Sequence, residues 1–414
     1  MARRVVVTGV GALTPLGNDM ETTWSGMLAG KSGIAAIESF DVSQFSTRFG
    51  GEIRNFDPAT YMDRKEIKRT DKFVQFAVAA SAMAMKDAGL GEITDPAEQE
   101  RFGVIIGSGV GGIQTHEIQH SRYLKGGPGR ISPFYVPMMI SDMAAGYVSI
   151  HFKARGPNFC TVSACASSGH AVAMAFRSIK HGESDMMLTG GCEASVTPMG
   201  LGGFCSIKAL STRNDTPETA SRPFDKERDG FVLADGAGVL LLEEYEHAKA
   251  RGARIYAEVA GAGSTADAYH ITAPVPGGEG SMRAMKLAAQ EAGVNKDDIQ
   301  YVNAHGTSTP HNDPTETAAI KGLFGDYAKK GLVVSSTKSM VGHLLGAAGG
   351  AEAIFTSLAI YHGIVPPTIN YNTPDPECDL DYCPNEARQL KIGAALSNSL
   401  GFGGHNISIA FKAV

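Results

Sequence analysis

Long apolar runs, an excess of basic residues and closely spaced cysteine pairs are all missing from this 414-residue chain. No apolar stretch approaches the ~20 residues needed to cross a bilayer. The segment from Met1 to Gly17 is too short, and too interrupted by glycine and proline, for the apolar core of a signal peptide. The net charge of −6 argues against a general nucleic-acid binder, which is usually basic. We therefore predict a cytoplasmic protein with no nucleic-acid partner and no membrane insertion.

The cysteines show neither a C-x-x-C motif nor the spacing of a zinc site. The six of them are Cys160, Cys165, Cys192, Cys205, Cys378 and Cys383. This pattern favours reduced thiols in a reducing compartment over a disulfide scaffold or a structural metal.

Glycine is abundant, at 50 of 414 residues, where about 7% is usual. The glycines are spread over many short turns, which favours a compact α/β protein of two domains or two halves. An apolar strand from Arg4 to Thr8 leads into Gly9-Val10-Gly11, but the dinucleotide-binding fingerprint G-x-G-x-x-G fails at Thr14. We predict a buried strand that turns tightly over a neighbour at this point.

The stretch from Phe159 to Gly182 is the main candidate for chemistry. It predicts a buried strand, a sharp turn at Cys165 and a buried helix that stops at Gly182. A helix N-terminus lowers the pKa of a thiol, and its free N–H groups can hold an oxyanion. The alternative is a small buried thiol with no role, since free cysteine is common in protein cores.

The second half of the chain repeats a pattern of the first. S-A-C followed by G-H matches S-T-K followed by G-H, so that Cys165 corresponds to Lys338 and His170 to His343, both 173 residues apart. Internal duplication brings equivalent turns of two halves together. We therefore predict that Lys338 and His343 lie near Cys165.

Three more features of the second half indicate the same site. His305 ends an apolar strand on a Gly/Thr turn, and histidine is the residue type expected beside a reactive thiol, although a structural role is the commoner one. Glu352 is the only charge between residues 344 and 360 and needs a partner if buried, for which Lys338 or a cation would serve. The glycine-rich segment 397–404 carries Phe402 and is predicted to be a mobile gate.

Two further segments indicate surfaces. A basic cluster between residues 62 and 72 contains Arg64, Lys65, Lys68 and Arg69; it is either a solvated helix face or a docking site for an acidic partner. The proline-spaced segment 124–145 is predicted to form a substrate-pocket wall or a subunit interface.

Taken together, the motifs resemble those of the β-ketoacyl-acyl carrier protein synthases. The resemblance is to the elongating Cys-His-His type, closest to the synthase II group, and covers essentially the whole chain. The motifs that carry it are Cys165 on its strand–turn–helix, H-G-T-S-T-P at 305–310, K-S-M-V-G-H at 338–343, G-F-G-G at 401–404, S-T-R-N-D at 211–215, D-K-E-R-D-G-F-V at 225–232 and D-A-Y-H at 267–270.

The resemblance implies a thiolase-like α/β fold of two duplicated halves in a five-layer αβαβα arrangement. The first half is expected to span residues 1–253 and to carry the cysteine. The second, residues 254–414, is expected to carry the His/Lys/His residues and the gating loop. A homodimer with no required cofactor follows from the same likeness, with acyl carrier protein, in its acyl and malonyl forms, as partner.

The resemblance also implies a decarboxylative Claisen condensation that elongates fatty acids. Cys165 would be the acylated nucleophile, His305 and His343 would bind the malonyl thioester carbonyl, and Lys338 would be a supporting cation. The oxyanion would be held by the backbone N–H groups of Cys165 and Phe402. By position, the resemblance also implies that Val110 and Phe204 line the acyl pocket, that Phe402 gates it, and that Thr307 and Thr309 bind the pantetheine arm. The residues expected to dock the carrier are Arg64, Lys65, Lys68, Arg69, Arg130 and Lys208. The residues expected to hold a monovalent cation (Na⁺ or K⁺) are Asn303, Glu352, Ser397 and Asn398.

Two departures and several alternatives remain open at this point. His405 stands where some synthases have threonine, and the small Val110 predicts a pocket that accepts long chains. A polyketide-type ketosynthase or a decarboxylase would use the same residues. The residues present argue against three others: a non-catalytic chain-length-factor-like subunit would lack Cys165, a thiolase would carry a second cysteine beyond Cys383 near the C-terminus, and an initiating synthase would pair its cysteine with histidine and asparagine, where this chain has His343.

Overall fold

The computed structural model describes residues 3–414. Its strands are β1 (Val5–Leu13), β2 (Ala35–Ala36), β3 (Phe49–Gly50), β4 (Phe102–Gly107), β5 (Asn158–Phe159), β6 (Met186–Glu193), β7 (Gly236–Glu244), β8 (Ala257–Ala266), β9 (Tyr301–Asn303), β10 (Val333–Ser335), β11 (Ile364–Val365), β12 (Arg388–Gln389), β13 (Ala394–Gly401) and β14 (His405–Lys412). Its helices are α1 (Met20–Leu28), α2 (Arg64–Ile67), α3 (Lys72–Asp87), α4 (Pro96–Glu100), α5 (Ile113–Gly126), α6 (Tyr135–Met139), α7 (Met143–Phe152), α8 (Ser167–Lys180), α9 (Pro198–Ser206), α10 (Tyr245–Ala250), α11 (Glu279–Ala292), α12 (Asn312–Phe324), α13 (Tyr327–Lys330), α14 (Lys338–Val341) and α15 (Ala348–His362).

Ten strands form one sheet, in the order β10-β9-β13-β14-β8-β1-β7-β6-β4-β5. The two halves join where β1 pairs antiparallel with β8. Counted outward from this junction, the strands of each half pair antiparallel twice and then parallel twice. In both halves the spatial order corresponds to the first, fifth, fourth, second and third strand of that half along the chain. Such a repeated topology is what internal duplication produces.

Helices form three further layers around the two halves of the sheet. α8 and α15 pack on each other and contact strands of both halves, so they lie in the middle. α3 and α7 cover the outer face of the first half, and α11, with α12 against it, covers the second. Every residue of α15 from Ala348 to Ile360 is buried, because a helix between two sheet halves has no solvent face.

The glycines of β1 serve packing and not a turn. The predicted tight turn after Thr8 is wrong, because β1 runs on to Leu13. A Cβ on Gly9 would lie 2.2 Å from the Ala84 carbonyl oxygen, and one on Gly11 would lie 2.1 Å from that of Ala80, both on α3. The absence of side chains therefore lets α3 approach the strand.

The second half repeats this contact. A Cβ on Gly261 of β8 would lie 2.4 Å from the Ala288 carbonyl oxygen, and one on Gly263 would lie 2.0 Å from that of Ala284, both on α11. The G-x-G pairs of both halves thus serve the same close strand–helix packing.

Several predicted elements differ in the structure. The strand predicted as buried at Phe159 is the two-residue β5, which is exposed because it forms the outer edge of the sheet. The basic cluster forms only the single turn α2 and not a longer helix face. In the glycine-rich segment, residues 397–401 belong to β13, so only 402–404 form the turn.

Within residues 3–414, helices long and apolar enough to cross a membrane are absent.

Candidate active site

A strained turn presents Cys165 just ahead of α8. Ala164, directly before it, has a φ of +51°, in the left-handed region that is costly for a residue with a Cβ. Ser167, the first residue of α8, stabilises the turn: its Oγ donates to the Ala164 carbonyl oxygen (2.7 Å) and accepts from the Ser163 N–H (2.9 Å). The helix begins two residues after the cysteine, and Gly182 (φ +82°) follows its end.

A cavity of about 680 Å³ opens at this turn. Cys165, His305, His343 and Phe402 all line it, although they come from distant parts of the chain. The side chains predicted to contact substrate lie on its walls as well: Val110, Phe204, Thr307 and Thr309. Lys338 is not on the wall but fully buried behind it.

The two histidines face each other edge to face. The ring centroids of His305 and His343 are 5.2 Å apart, with the planes at 83°. Burial, followed by the positive charge of Lys338, lowers the pKa of both rings well below the ordinary value of 6.5. Both imidazoles are therefore neutral at neutral pH, and each keeps a single N–H for donation.

The pKa of the Cys165 thiol differs from the sequence prediction. Burial raises it to about 12, while the charge of Lys338 acts in the opposite direction. The prediction of a thiol with a lowered pKa is wrong in this structure, because loss of hydration outweighs the favourable charges. The resting site thus holds a neutral thiol next to two neutral imidazoles.

Lys338 and Glu352 form an ion pair that is almost completely buried. Lys338 begins α14, directly after β10, and Glu352 lies in the middle layer on α15. Burial raises the pKa of Glu352 to about 7, and Lys338 opposes this rise. Lys338 is thus the partner that the sequence predicts for a buried Glu352.

Three buried side-chain oxygens, on β9, β13 and α15, are unpartnered among the described residues. Within residues 3–414, the buried atoms Glu352 Oε2, Asn303 Oδ1 and Asn398 Oδ1 all lack a hydrogen-bond partner. Ser397 lies opposite Asn303 in the pairing of β13 with β9, and Asn303 Nδ2 approaches the Glu352 carbonyl oxygen at 3.5 Å. Carboxylate and amide oxygens suit a hard cation. Asn303 approaches Glu352 and pairs in register with Ser397, whereas the Asn398 side chain contacts Met285 and Glu316 on the outer helices, so a monovalent-cation site at these four residues stays a prediction.

The G-F-G-G turn touches the cysteine turn. A Cβ on Gly401 would lie 2.6 Å from the Ser163 carbonyl oxygen and 3.3 Å from the Cys165 nitrogen, so only glycine allows this approach. Among the described residues, neither the Cys165 N–H nor the Phe402 N–H donates a backbone hydrogen bond. Two free N–H donors next to a thiol have the arrangement that an oxyanion hole requires.

Glu193 is a buried carboxylate that sequence reasoning missed. It accepts from the backbone N–H groups of Gly109 (2.7 Å), Val110 (3.2 Å), Gly111 (3.3 Å) and Gly346 (3.1 Å), and from the Ser108 Oγ (2.9 Å). Burial raises its pKa, and these hydrogen bonds act against the rise. The signal was present in the sequence, since Glu193 is the only charge on the apolar strand β6.

Glu316 is the second residue missed. It is fully buried on α12, where its two oxygens accept from the backbone N–H groups of His305 and Gly306, both at 2.8 Å. Asn398 Nδ2 lies 3.3 Å from the same carboxylate. Glu316 thus fixes the turn that carries His305 and connects it to β13 through Asn398.

The basic residues are on the surface. Arg64, Lys65 and Lys68 are exposed, and in residues 3–414 none of them forms an ion pair. Arg69 is partly buried, with its guanidinium 4.5 Å above the ring of Phe134. Of the other two predicted docking residues, Arg130 is exposed, and Lys208 is exposed at the edge of the cavity.

Comparison with known proteins identifies the family. The model of the β-ketoacyl synthase N-terminal domain matches residues 2–248, and that of the C-terminal domain matches residues 256–372. The chain belongs to the β-ketoacyl synthase family. This confirms the predicted resemblance.

Curated relatives agree over almost the full length of both chains. The chain is 53% identical over 410 residues to a 3-oxoacyl-[acyl-carrier-protein] synthase 2 of Synechocystis, covering 99% of this chain and 98% of the relative. It is 54% identical to the protein of the same name from Staphylococcus aureus, with the same coverage.

Solved ketosynthase structures share the fold. A type II polyketide acyl-carrier protein in complex with its ketosynthase contains a chain with 37% identity and a TM-score of 0.92, and a β-ketoacyl synthase from Burkholderia phymatum has 36% identity and a TM-score of 0.92. Each of these two matches covers 100% of this chain and 100% of the solved chain. The thiolase-like five-layer fold is therefore confirmed.

Proposed function

We propose that this chain is an elongating 3-oxoacyl-[acyl carrier protein] synthase of the synthase II type. It joins an acyl chain, held on Cys165, to malonyl-acyl carrier protein and yields 3-oxoacyl-acyl carrier protein, CO₂ and free carrier. The single observation that carries the proposal is that Cys165, His305 and His343 line one cavity in a chain 53–54% identical to synthases of this name.

The first step transfers the acyl group. The Cys165 sulfur attacks the thioester carbonyl, its proton passes to the departing carrier thiolate, and a thioester on Cys165 and a free carrier thiol result. A thiol suits this position because it attacks well and later leaves well. Since burial raises the pKa of Cys165 to about 12, the proton leaves during the attack and not before it.

The second step makes the carbanion. Malonyl-acyl carrier protein loses CO₂, and the electron pair of the broken C–C bond forms an enolate whose oxygen accepts hydrogen bonds from the N–H groups of His305 and His343. Neutral donors suit this step because a charged acid would protonate the carbanion. The lowered pKa values of both rings support this role.

The third step forms the new bond. The enolate carbon attacks the acyl-Cys165 carbonyl, the tetrahedral oxyanion accepts from the N–H groups of Cys165 and Phe402, and its collapse expels the Cys165 thiolate, which takes up one proton. Lys338 supports the site through its charge, which acts to lower the pKa of the thiol.

The cavity walls provide the remaining substrate roles. Val110 and Phe204 line the acyl portion with Phe402 as its gate, and the small side chain of Val110 leaves room for long chains. The hydroxyls of Thr307 and Thr309, which lie 2.9 Å apart, bind the pantetheine arm by hydrogen bonds.

We further propose that Asn303, Glu352, Ser397 and Asn398 hold Na⁺ or K⁺, which would supply positive charge next to a carboxylate buried beside Lys338. A raised pKa means that the stability contributed by Glu352 is present at low pH and is lost as the pH rises from about 4.5 through about 7. A cation bound to the ionised carboxylate of Glu352 would offset this loss of stability.

The cation proposal is tested by melting temperatures in KCl and in tetramethylammonium chloride of equal ionic strength. The K⁺-specific stabilisation should grow between pH 5 and pH 8 and vanish in Asn303→Ala. A K⁺ effect that is the same at both pH values, or that survives in the variant, argues against a site at Glu352.

The partner is acyl carrier protein, which docks on the basic residues Arg64, Lys65, Lys68 and Arg69, with Arg130 and Lys208 beside them. Exposed cations without ion-pair partners suit an acidic protein surface. We also propose a homodimer in the cytoplasm, in which each chain consists of the halves 1–253 and 254–414.

The dimer is supported by the exposed edge of the sheet. β5 ends the strand order, and the apolar side chains of Phe159, Val162 and Ile150 are exposed to 39%, 61% and 68%. An unpaired strand edge with exposed apolar residues is suited to pairing with a second copy.

The proposed reaction is tested by intact-protein mass spectrometry. The protein, incubated with a C14 or C16 acyl carrier protein, should gain the mass of one acyl group, and malonyl-acyl carrier protein should discharge it as a 3-oxoacyl product. Cys165→Ala should gain none. No adduct on the native protein would refute the nucleophile, acylation without discharge would refute the condensation, and acylation only by short chains would refute the long-chain pocket.

A polyketide-type ketosynthase is the second candidate, because a chain from the complex of a type II polyketide acyl-carrier protein with its ketosynthase shares the fold at 37% identity. The higher identity to the 3-oxoacyl-[acyl-carrier-protein] synthases, 53–54%, favours elongation by a single malonyl unit. If one priming event gave a chain extended by several unreduced units, the polyketide function would replace the first proposal.

A further inference from the structure

Two histidines stand one helical turn apart on the surface of α5. His116 and His120 are both exposed, and their rings are stacked with centroids 6.1 Å apart and planes within 6° of parallel. Side chains four residues apart lie on the same face of a helix. Two imidazoles in this relation can bind one metal ion between them after small rotations about χ2, which exposed rings can make.

A neighbouring helix orients the first of the two rings. The Nδ1 of His116 lies 2.6 Å from the hydroxyl of Tyr135 on α6. When Nδ1–H donates to that oxygen, Nε2 keeps its lone pair and faces away from the contact. Histidines that bind metals commonly hold the other ring nitrogen in such a hydrogen bond, which fixes the tautomer.

We propose that His116 and His120 form a binding site for a divalent transition-metal ion of the Ni²⁺, Cu²⁺ and Zn²⁺ class. These ions prefer imidazole ligands. Clusters of three or more His, Cys, Asp or Glu side chains that could hold a metal are absent from residues 3–414. The site therefore supplies two nitrogen ligands, water completes the coordination, and the ion exchanges readily.

The intervening acid takes no part in the site. The run H-E-I-Q-H at 116–120 has the spacing of hydrolytic zinc enzymes, but Glu117 is used elsewhere. Its Oε1 accepts from the Thr197 Oγ1 (2.7 Å) and from the Met199 N–H (2.8 Å), at the N-terminus of α9. A general-base role is thus excluded, and the proposed site binds a metal without hydrolytic chemistry.

The test is titration of the full-length protein, free of any affinity tag, with NiCl₂ in an isothermal calorimeter. Ni²⁺ is the probe because it favours imidazole, whereas Zn²⁺ also binds thiols. We expect one ion per chain, and a loss of affinity of about tenfold or more in His116→Ala and in His120→Ala. Tyr135→Phe should weaken binding by a smaller factor and leave the stoichiometry unchanged.

The matched control is His181→Ala, which removes an exposed histidine without a histidine neighbour one turn away and should leave the affinity unchanged. Thermal melting shows that each variant is folded. Native protein without saturable binding at millimolar Ni²⁺, or a double variant His116→Ala/His120→Ala with native affinity, would overturn the proposal.

Discussion

At the scale of single residues, the environment of Cys165 sets how the thiol reacts. Burial raises its pKa to about 12, so the thiolate is a minor species at neutral pH. Because the thiolate is the nucleophile, we expect the rate of alkylation of Cys165 by iodoacetamide to rise by about tenfold per pH unit between pH 6 and pH 9. Peptide mapping after timed quenching measures the rate at this residue alone.

The control for alkylation is Cys165→Ala, which gives the labelling of the other five cysteines. A rate that levels off near pH 7 would mean that the helix N-terminus and Lys338 outweigh the loss of hydration. That result would restore the lowered pKa that the sequence alone predicts.

Glu193 connects the loop of Val110 with the turn at Gly346 through five donors. In Glu193→Gln, one acceptor oxygen becomes an NH₂ group that faces N–H groups, and a buried donor without a partner costs about 1–3 kcal/mol. We expect a loss of unfolding free energy of this size in urea denaturation, together with slower acylation by long-chain substrates.

The matched variant is Glu244→Gln. The Oε2 of Glu244 accepts from the His247 N–H at the start of α10, away from the cavity. Glu244→Gln should lose less unfolding free energy than Glu193→Gln, and its rate of acylation by long-chain substrates should equal that of the native protein. Equal effects of the two variants would contradict a specific role of Glu193 in holding the cavity wall.

At the scale of elements, the two G-x-G pairs explain how each half brings a helix onto its first strand. Gly11→Ala and Gly263→Ala both place a Cβ within about 2 Å of a helix carbonyl oxygen, which forces the helix outward. We expect each to reduce the free energy of unfolding by about 1–3 kcal/mol or more, measured by denaturant titration.

Gly91→Ala is the control for these variants, because a Cβ at Gly91 meets no atom within 4 Å and its φ is not positive. It should be neutral or slightly stabilising. If Gly263→Ala were as harmless as Gly91→Ala, the equivalence of the two strand–helix contacts would be refuted.

Sequence reasoning succeeded where the duplication of the elements carried the information. Lys338 and His343 could be placed near Cys165 because equivalent turns follow equivalent strands in the two halves. Glu193 and Glu316 could not be placed in the same way, because their partners are backbone N–H groups, which leave no pattern in the sequence. The Gly109 N–H, for example, is 84 residues away from Glu193.

The exposed strand β5 is a second feature that the sequence of a single chain could not predict. The β-forming residues from Phe159 to Val162 predict a buried strand, but the single chain leaves Phe159 exposed because β5 ends the sheet. The contradiction between an apolar sequence and an exposed edge is resolved if a second copy covers it.

At the scale of the whole molecule, the dimer is therefore the decisive prediction. Two β5 edges related by a twofold axis would pair antiparallel and extend the sheet from one chain into the other. Val162→Asp puts a charge on this apolar edge, where Val162 is 61% exposed, and should shift the protein from dimer to monomer in sedimentation velocity. Val414→Asp, at a residue equally exposed at 61%, should remain dimeric. A monomeric native protein, or two variants that both remain dimers, would show that the edge is not the interface, and the exposure of Phe159 and Val162 would then need another occupant.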